Sequence, residues 1–453
     1  MANKQNIQSL ISASKEKIAA DSGLKELLSK STVDFFLRSF GRVSGYLFVY
    51  LIIKWFGPSN FGKWSLALTI FLIIQSVTNL GLKTAMVKFI AHFKKKQQPE
   101  LIVQVYSKAI IILVFSSTIG TVFLFFGSAL LAPIFEKVFL VRILEVLALG
   151  ILPMNMMALN SGILRGQKKI AHHSFVENIG ITLIAILFLI TTYAFYEDFI
   201  IVSLVYVTSI SFLCFWSFIL VFKGIKPVFT FSKGYPVKDI LELSIPMFFT
   251  TTTNMIKNWS DIIILGLFCS NLQVGAYSLA IRLSKIISMP LKSVNTIAGS
   301  QISELHAAEN KIKLKKSAIR ATKLIFLTSF PLIIGLVFFN NYIISFFNNK
   351  YLFITSSLIV LAFGQFFNAI SGSVGQILNM TDNQKVLMYI SISTSVLNIA
   401  LNFWLIPHYN VLGAAIATTF TLVLANILAL FFIYKRLHFF PVYIPFINSF
   451  NNK

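Results

Sequence analysis

Cationic side chains recur at helical spacing within one otherwise apolar stretch of this sequence, residues 276–299. At about 100° per residue its polar side chains fall within roughly a quarter of a helical wheel. They are Ser278, Arg282, Lys285, Lys292 and Thr296. Hydrocarbon solvates such a stripe poorly, so the pattern favours a cavity wall, with snorkelling or a buried ion pair as the alternatives. Pro290 within the stripe predicts a kink, which suits a cavity wall or a hinge.

Two more arginines lie in the first apolar stretch. Arg38 and Arg42 are four residues apart, beside Gly41 and Gly45, so both guanidinium groups occupy one face of a helix. The pair could bind an anion inside a cavity, or both side chains could snorkel to lipid headgroups at an interface.

The seventh apolar stretch carries a polar stripe of its own, followed by about ten apolar residues. Its members are Thr250, Asn254, Lys257, Asn258 and Asp261. At this depth Asp261 is the candidate for ion coupling, and Lys257 joins the cationic candidates. The alternative is that Lys257 and Asp261, four residues apart, simply neutralise each other.

Other polar residues carry weaker signals. For those of the tenth and eleventh stretches, hydrogen bonds between helices are favoured over substrate contacts. These residues are Gln365, Asn368, Gln376, Asn398 and Asn402. Glu145 and Glu177 lie near predicted interfaces and receive no role.

Motifs of soluble chemistry do not occur. Residues 162–169 have the wrong glycine spacing for a phosphate-binding loop, and no Ser or Thr follows a Gly-Lys pair. His172 and His173 are adjacent, so in a helix they diverge by about 100° and make no metal site. Cys214 and Cys269 form no disulfide framework. We therefore expect no cofactor, no metal and no enzyme, and transport driven by an ion gradient, the membrane potential or consumption of the product.

Composition indicates what must position these residues. Hydrophobic residues make up 56% of the 453 residues and charged ones only 12%, and the mean hydropathy is +0.78. A spanning helix needs about 20 apolar residues, so the fold class is all-α integral membrane with about twelve transmembrane helices. The predicted spans are 35–56, 64–82, 108–132, 141–164, 174–194, 199–222, 241–268, 276–299, 317–340, 352–378, 386–406 and 411–434.

Loop charge predicts the orientation. Lysines and arginines concentrate in both terminal segments and in alternate loops, as around Lys95, Lys168, Lys226 and Lys313. The positive-inside rule then places both termini in the cytoplasm. The same distribution explains the net charge of +23 without a nucleic-acid partner.

An internal repeat divides the chain. Residues 62–67, Gly-Lys-Trp-Ser-Leu-Ala, recur as residues 275–280, Gly-Ala-Tyr-Ser-Leu-Ala, at the same place in each set of six spans. We expect a substrate cleft between two six-helix lobes. The predicted organisation is a cytoplasmic segment 1–34 with a possible interfacial helix, an N-lobe 35–222, a linker 223–238, a C-lobe 239–434 and a cytoplasmic tail 435–453.

Short motifs add a family resemblance beyond residue 34. They are Arg42-Val43-Ser44-Gly45, residues 55–65 (WFGPSNFGKWS), Asn79-Leu80-Gly81-Leu82, Asp261 with Ile264-Leu265-Gly266, and Val274-Gly275-Ala276-Tyr277. With these, the chain resembles the lipid-linked polysaccharide (O-antigen, Wzx-type) flippases. Their superfamily, called MOP, also contains the MATE multidrug exporters and the lipid II flippases.

The resemblance implies a V-shaped, MATE-like pair of lobes with alternating access in the bacterial cell (inner) membrane. It implies a lipid-linked oligosaccharide substrate on undecaprenyl pyrophosphate, membrane lipid as a partner, and polysaccharide polymerase or ligase machinery downstream. Guanidinium and ammonium groups suit a pyrophosphate, so the substrate-binding candidates are Arg38, Arg42, Arg282, Lys285 and Lys257. The alternatives are a MATE-type multidrug or cation antiporter, a lipid II flippase, and a membrane-embedded polymerase or ligase.

Overall fold

The structure is a computed structural model that describes residues 22–223 and 235–443. Side chains are described from Phe36 onwards, apart from those of Thr250, Thr253, Asn254, Lys257, Thr296, Ile297, Ser300 and Ala307. Residues 1–21 of the predicted cytoplasmic segment, 224–234 of the linker and 444–453 of the tail lie outside this description.

The described residues are helical throughout, joined by short turns. The helices are α1 (Ser22–Phe56), α2 (Pro58–Thr78), α3 (Leu82–Lys95), α4 (Pro99–Ile134), α5 (Leu140–Ala148), α6 (Ile151–Gly166), α7 (Ile170–Ser174), a π-helical turn (Phe175–Ile179), α8 (Gly180–Tyr193), α9 (Ile201–Phe222), α10 (Val237–Phe268), α11 (Asn271–Ser284), α12 (Met289–Ala307), α13 (Lys311–Phe338), α14 (Asn340–Phe347), a 3-10 turn (Asn349–Ile354), α15 (Thr355–Ile370), α16 (Val374–Met380) and α17 (Gln384–Leu437).

Eight continuous helical segments are long and apolar enough to cross a membrane, within the described part of the chain. Two of them are composite: α7, the π-helical turn and α8 form one, and the 3-10 turn and α15 form the other. The pair α5 and α6, bent by 45°, raises this number to nine if the pair forms one span. An all-α integral membrane fold is therefore confirmed.

The predicted number of twelve stays an expectation, and α17, α10 and the pair α11 and α12 are the helices that would supply the further spans. Helix α17 has 54 residues, about 80 Å of helix at 1.5 Å per residue, and the hydrocarbon core is only about 30 Å thick. Asn410, at φ 50° and ψ −128°, breaks α17 where the sequence predicts the loop between two spans. Within the predicted seventh span, α10 contributes a shorter apolar stretch, Asn258–Phe268.

The predicted kink at Pro290 takes the form of a complete break. Helix α11 ends at Ser284 and α12 begins at Met289, with Pro290 in its first turn. Between them the backbone forms i to i+3 hydrogen bonds, such as Ile287 N–H to Ser284 O at 3.1 Å. Proline fits the first turn of a helix because its missing N–H has no partner there anyway. The predicted stripe therefore belongs to two helices.

Packing groups the described residues into two compact units. Unit 1 comprises those within Met1–Val49, Gln75–Phe123 and Val146–Phe249, and unit 2 those within Tyr50–Ile74, Leu124–Glu145 and Thr250–Lys453. The lobes 35–222 and 239–434, drawn from the repeat, stay a prediction.

The core of unit 1 depends on α3, which the sequence interpretation left as part of a loop. Its buried residues recur at intervals of three and four, which is the spacing of an amphipathic helix. They are Leu82, Ala85, Met86, Phe89, Ile90 and Phe93. This face packs on apolar residues of α4, α6 and α9.

A buried polar cluster holds α2, α4 and α6 together in unit 1. The Asn155 carbonyl oxygen accepts hydrogen bonds from Gln75 at 2.8 Å and Asn79 at 3.1 Å. Its amide donates to Thr78 at 2.8 Å and Ser117 at 2.9 Å. Every polar atom of the Asn155 side chain is thus satisfied, which hydrocarbon surroundings demand.

Candidate functional site

Unit 2 contains a cavity of about 170 Å³, here called the unit-2 pocket. It is lined by Ser65, Leu68, Asn258, Trp259, Ile262, Ser278, Ile281, Arg282 and Lys285. These residues come from α2, α10, α11 and the turn after α11. Five of the nine are polar, and two of those are cations.

The repeat explains why α2 and α11 meet beside this pocket. A Cβ on Gly62 would collide with the carbonyl group of Asn271, and a Cβ on Gly275 would lie 2.8 Å from the Gly62 nitrogen. The helices therefore touch backbone to backbone at the two equivalent glycines. The hydroxyl of Tyr351 donates to the Pro58 carbonyl at 2.7 Å at the same crossing.

Three residues after each glycine, the repeat places a serine. Ser65 and Ser278 are 4% and 2% exposed, and neither hydroxyl has a hydrogen-bond partner among the described residues. Buried hydroxyl groups almost always have a partner, so a ligand or water in the pocket is the natural acceptor of hydrogen bonds from Ser65 and Ser278. The sequence interpretation recognised the repeat and Ser278, but it did not assign Ser65 to the site.

The two cations of the pocket follow from the local structure of α11. Ser270 and Gln273 form a capping box that starts the helix. Arg282 lies in its last turn and Lys285 directly after it, where positive charge complements the exposed carbonyl groups. The charged neighbours of Lys285 are Asp261, Arg282 and Lys292. Lys292 is exposed and is not among the residues that line the pocket.

Asp261 lies in α10 next to the pocket and is 3% exposed. Its carboxylate accepts a hydrogen bond from the Tyr277 hydroxyl at 2.7 Å and from the Ile262 N–H at 2.9 Å. The hydroxyl of Thr418 lies within hydrogen-bond distance of the Tyr277 oxygen, at 3.2 Å. Tyr277 and Thr418 were not singled out from the sequence, although Tyr277 belongs to the repeat.

The other cationic candidates, Arg38 and Arg42, do not line the unit-2 pocket. Both lie on α1 in unit 1, where Arg38 is exposed and Arg42 is half-buried. A Cβ on Gly41 would collide with the Asn178 carbonyl. The side chain of Lys257 lies outside the described residues, so its pairing with Asp261 stays a hypothesis.

Three of the five weaker polar residues, Asn368, Asn398 and Asn402, form hydrogen bonds within the bundle. Asn402 donates to Asn398 at 3.0 Å, and Asn398 donates to Thr421 at 3.1 Å across the break in α17. Asn426 donates to Asn368 at 3.1 Å.

A network in unit 1 was missed entirely. Glu177 is ion-paired with Lys83 and accepts a hydrogen bond from Ser161 at 2.8 Å. Nδ1 of the buried His173 lies 2.8 Å from the Ser161 oxygen. The sequence interpretation had placed Glu177 near an interface and had considered His173 only as a metal ligand. In the structure Glu177, in the π-helical turn Phe175–Ile179, and His173, at the end of α7, both contact Ser161 of α6.

Solved structures with the same fold identify the class of protein. The chain matches an inward-facing MATE family transporter of the MOP superfamily with a TM-score of 0.74, covering 90% of this chain and 98% of that one, at 15% identity. It matches the lipid II flippase MurJ with a TM-score of 0.71, covering 90% and 87%, at 19% identity. The protein is thus a multi-pass membrane protein with the fold of the MOP transporters.

Sequence comparisons specify the family. The probable flippase AglR of Haloferax volcanii is 29% identical over 178 residues. That alignment spans 39% of this chain and 37% of AglR, less than half the length of that relative. The model of the polysaccharide biosynthesis protein family matches residues 54–354. The chain belongs to this family, and the predicted resemblance is confirmed.

Proposed function

We propose that this protein is a flippase that moves an undecaprenyl-pyrophosphate-linked oligosaccharide across the cytoplasmic (inner) membrane by alternating access, with both termini in the cytoplasm. The observation that carries the proposal is the unit-2 pocket, where Arg282 and Lys285 stand beside two buried serine hydroxyls. Membership of the polysaccharide biosynthesis family and the similarity to AglR support the substrate class.

The chemistry of the pocket suits a pyrophosphate. A guanidinium group donates two parallel hydrogen bonds to phosphate oxygens, an ammonium group adds a compact charge, and serine hydroxyls donate further hydrogen bonds. Because the C-terminal end of α11 is itself electronegative, attraction of an anion must come from Arg282 and Lys285. The additional contribution of Arg38 and Arg42 stays a prediction.

The size of the pocket defines which part of the substrate it would take. Sites for drug-sized ligands measure about 300–1,000 Å³, whereas the unit-2 pocket measures about 170 Å³. It suits the diphosphate group, with the sugars and the polyprenyl chain outside it. A cationic drug would meet two like charges here, which disfavours the MATE-type antiporter. A lipid II flippase would share the diphosphate chemistry, so the test must identify the lipid.

Asp261 is the proposed ion-coupling residue, because it is a buried carboxylate next to the cation Lys285. Binding of a proton or a metal cation at Asp261 would remove the negative charge that faces Lys285. The pocket would then hold an anion more tightly. Release of that ion would weaken binding, which provides a link between ion movement and lipid movement.

Mass spectrometry of lipid-linked oligosaccharides in a deletion strain tests the function. We expect the polyprenyl-pyrophosphate-linked repeat unit to accumulate and surface glycan to disappear, and both to be restored by the wild-type gene but not by Arg282→Ala. Accumulation of lipid II would instead support the lipid II flippase. Unchanged lipids with lost drug resistance would support the antiporter, and either result would overturn the proposal.

A further inference from the structure

A second cavity in unit 2 is larger and lies between α12 and α13. It measures about 600 Å³ and shares no lining residue with the unit-2 pocket. We call it the α12/α13 groove. Its cationic residues are Lys313, Lys316 and Arg320, all exposed and all on α13.

The groove is amphipathic along its length. On α13 its lining residues recur at intervals of three and four, so they form one stripe on one face. The cations occupy the first turns, and Ala321 and Leu324 follow deeper in a helix that is apolar enough to cross the membrane. From Lys313 to Leu324 the stripe extends about 17 Å at 1.5 Å per residue. Its charged end thus lies at the boundary of the span and its apolar end within it.

A hydrogen bond and small side chains shape the walls of the groove. Ser317 donates a hydrogen bond to Gln301 at 2.9 Å, which links α13 to α12 where the charged part meets the apolar part. Below this bond the walls include the small side chains of Ala298 and Ala321. Larger residues at these two positions would fill the space.

The cations of the groove lack acidic partners within the described residues. None of Lys313, Lys316 and Arg320 forms an ion pair with a described carboxylate. A lipid matches both the charged end and the apolar end of the groove. Its phosphate group would lie between the three cations, and a hydrocarbon chain would lie along the alanine-lined wall. Basic pockets between helices at the membrane boundary are typical sites for anionic lipid headgroups.

We propose that the α12/α13 groove binds an anionic phospholipid of the surrounding bilayer. The phosphate contacts Lys313, Lys316 and Arg320, and one acyl chain lies along Ala298, Ala321 and Leu324. This inference does not depend on the proposed flippase function, because its residues are distinct from those of the unit-2 pocket.

Native mass spectrometry of the purified full-length protein tests the proposed contact between the lipid headgroup and the three cations. The probes are phosphatidylglycerol and phosphatidylcholine with identical acyl chains. Each cation near a phosphate favours binding by about fivefold, so Lys313→Gln with Lys316→Gln should weaken phosphatidylglycerol binding about twenty-five-fold. The matched control is Lys311→Gln with Lys315→Gln. It removes the same charge from the opposite face of α13 and should keep wild-type affinity. Equal loss in both double variants, or equal wild-type affinity for the two lipids, would overturn the proposal.

A separate variant tests the proposed contact between the acyl chain and the apolar wall of the groove. Ala321→Phe keeps every cation but fills the groove, so it should also weaken phosphatidylglycerol binding. Ile312→Phe, at a position that is 72% exposed and outside the groove, is the control. Wild-type binding by Ala321→Phe would mean that phosphate attaches to surface charge alone, which contradicts a lipid site. Thermal melting of each variant verifies that it is folded.

Discussion

Charge balance around the unit-2 pocket decides what it can attract. Arg282 and Lys285 contribute two positive charges and the adjacent Asp261 one negative charge, so the cluster carries a formal charge of +1 when all three are ionised. Asp261 receives hydrogen bonds from Tyr277 and from the Ile262 N–H, which stabilise a carboxylate away from water. The cluster can therefore exist without a ligand while it still favours an anion.

Substitution of Arg282 tests the anion site directly. Arg282→Ala removes charge-assisted hydrogen bonds worth about 1.5–3 kcal/mol each, so lipid transport should fall at least tenfold. Arg282→Lys should be milder, because the charge survives and only the fork geometry is lost. The measurement is surface glycan at matched expression. Lys292→Ala, on an exposed residue outside the pocket lining, is the control, and wild-type glycan from Arg282→Ala would refute the anion site.

Substitution of Asp261 tests the coupling role. Asp261→Asn keeps the size of the side chain but removes the charge, so labelled lipid-linked oligosaccharide should no longer respond to an imposed ion gradient in proteoliposomes. Asp239→Asn is the control, because Asp239 is an exposed carboxylate in the first turn of the same helix. Gradient-dependent transport that persists in Asp261→Asn would leave Asp261 with a structural role alone.

Among the helices of unit 2, α2 and α11 are in backbone contact at the two copies of the repeat. The contact leaves no room for a side chain at Gly62 or Gly275, and it places Ser65 and Ser278 at the same pocket. Lys137 secures α10 nearby, with hydrogen bonds to the carbonyl groups of Gly266 at 2.8 Å and Cys269 at 3.1 Å. Desolvation at this position lowers the pKa of the Lys137 ammonium group.

Gly62→Ala tests whether this crossing is essential. The added Cβ would meet the Asn271 carbonyl, a backbone group that cannot rotate away, and overpacking of this kind costs about 1–3 kcal/mol. We expect a lower melting temperature in detergent. Gly127→Ala is the matched control, because a Cβ there meets nothing within 4 Å and alanine favours a helix by up to about 1 kcal/mol. An unchanged melting temperature for Gly62→Ala would show that the helices separate freely.

For the whole molecule, the sequence predicts the membrane class and most spans, because hydropathy depends only on composition along the chain. It does not predict which polar face lines a cavity. The proximity of Ser65 to Ser278, or of Asp261 to Tyr277 and Thr418, depends on contacts between distant segments. Helix α3 was not predicted although its spacing is amphipathic, because its lysines interrupt any continuous apolar run. The break after Ser284 replaced a kink because proline is favoured at the start of a helix.

Orientation in the membrane is a property of the whole chain, and it can be tested at four exposed positions. Single cysteines at Asp198 and Lys350 should react with an impermeant maleimide in intact cells, whereas cysteines at Lys95 and Lys313 should react only after permeabilisation. The positive-inside rule gives this result because the last two lie in lysine-rich segments. All four residues are exposed, so reactivity reports the side of the membrane. Cys214 and Cys269 are buried and should add little background, which the parent protein measures. Labelling at Lys95 from outside would reverse the proposed topology and place the terminal segments on the outer face.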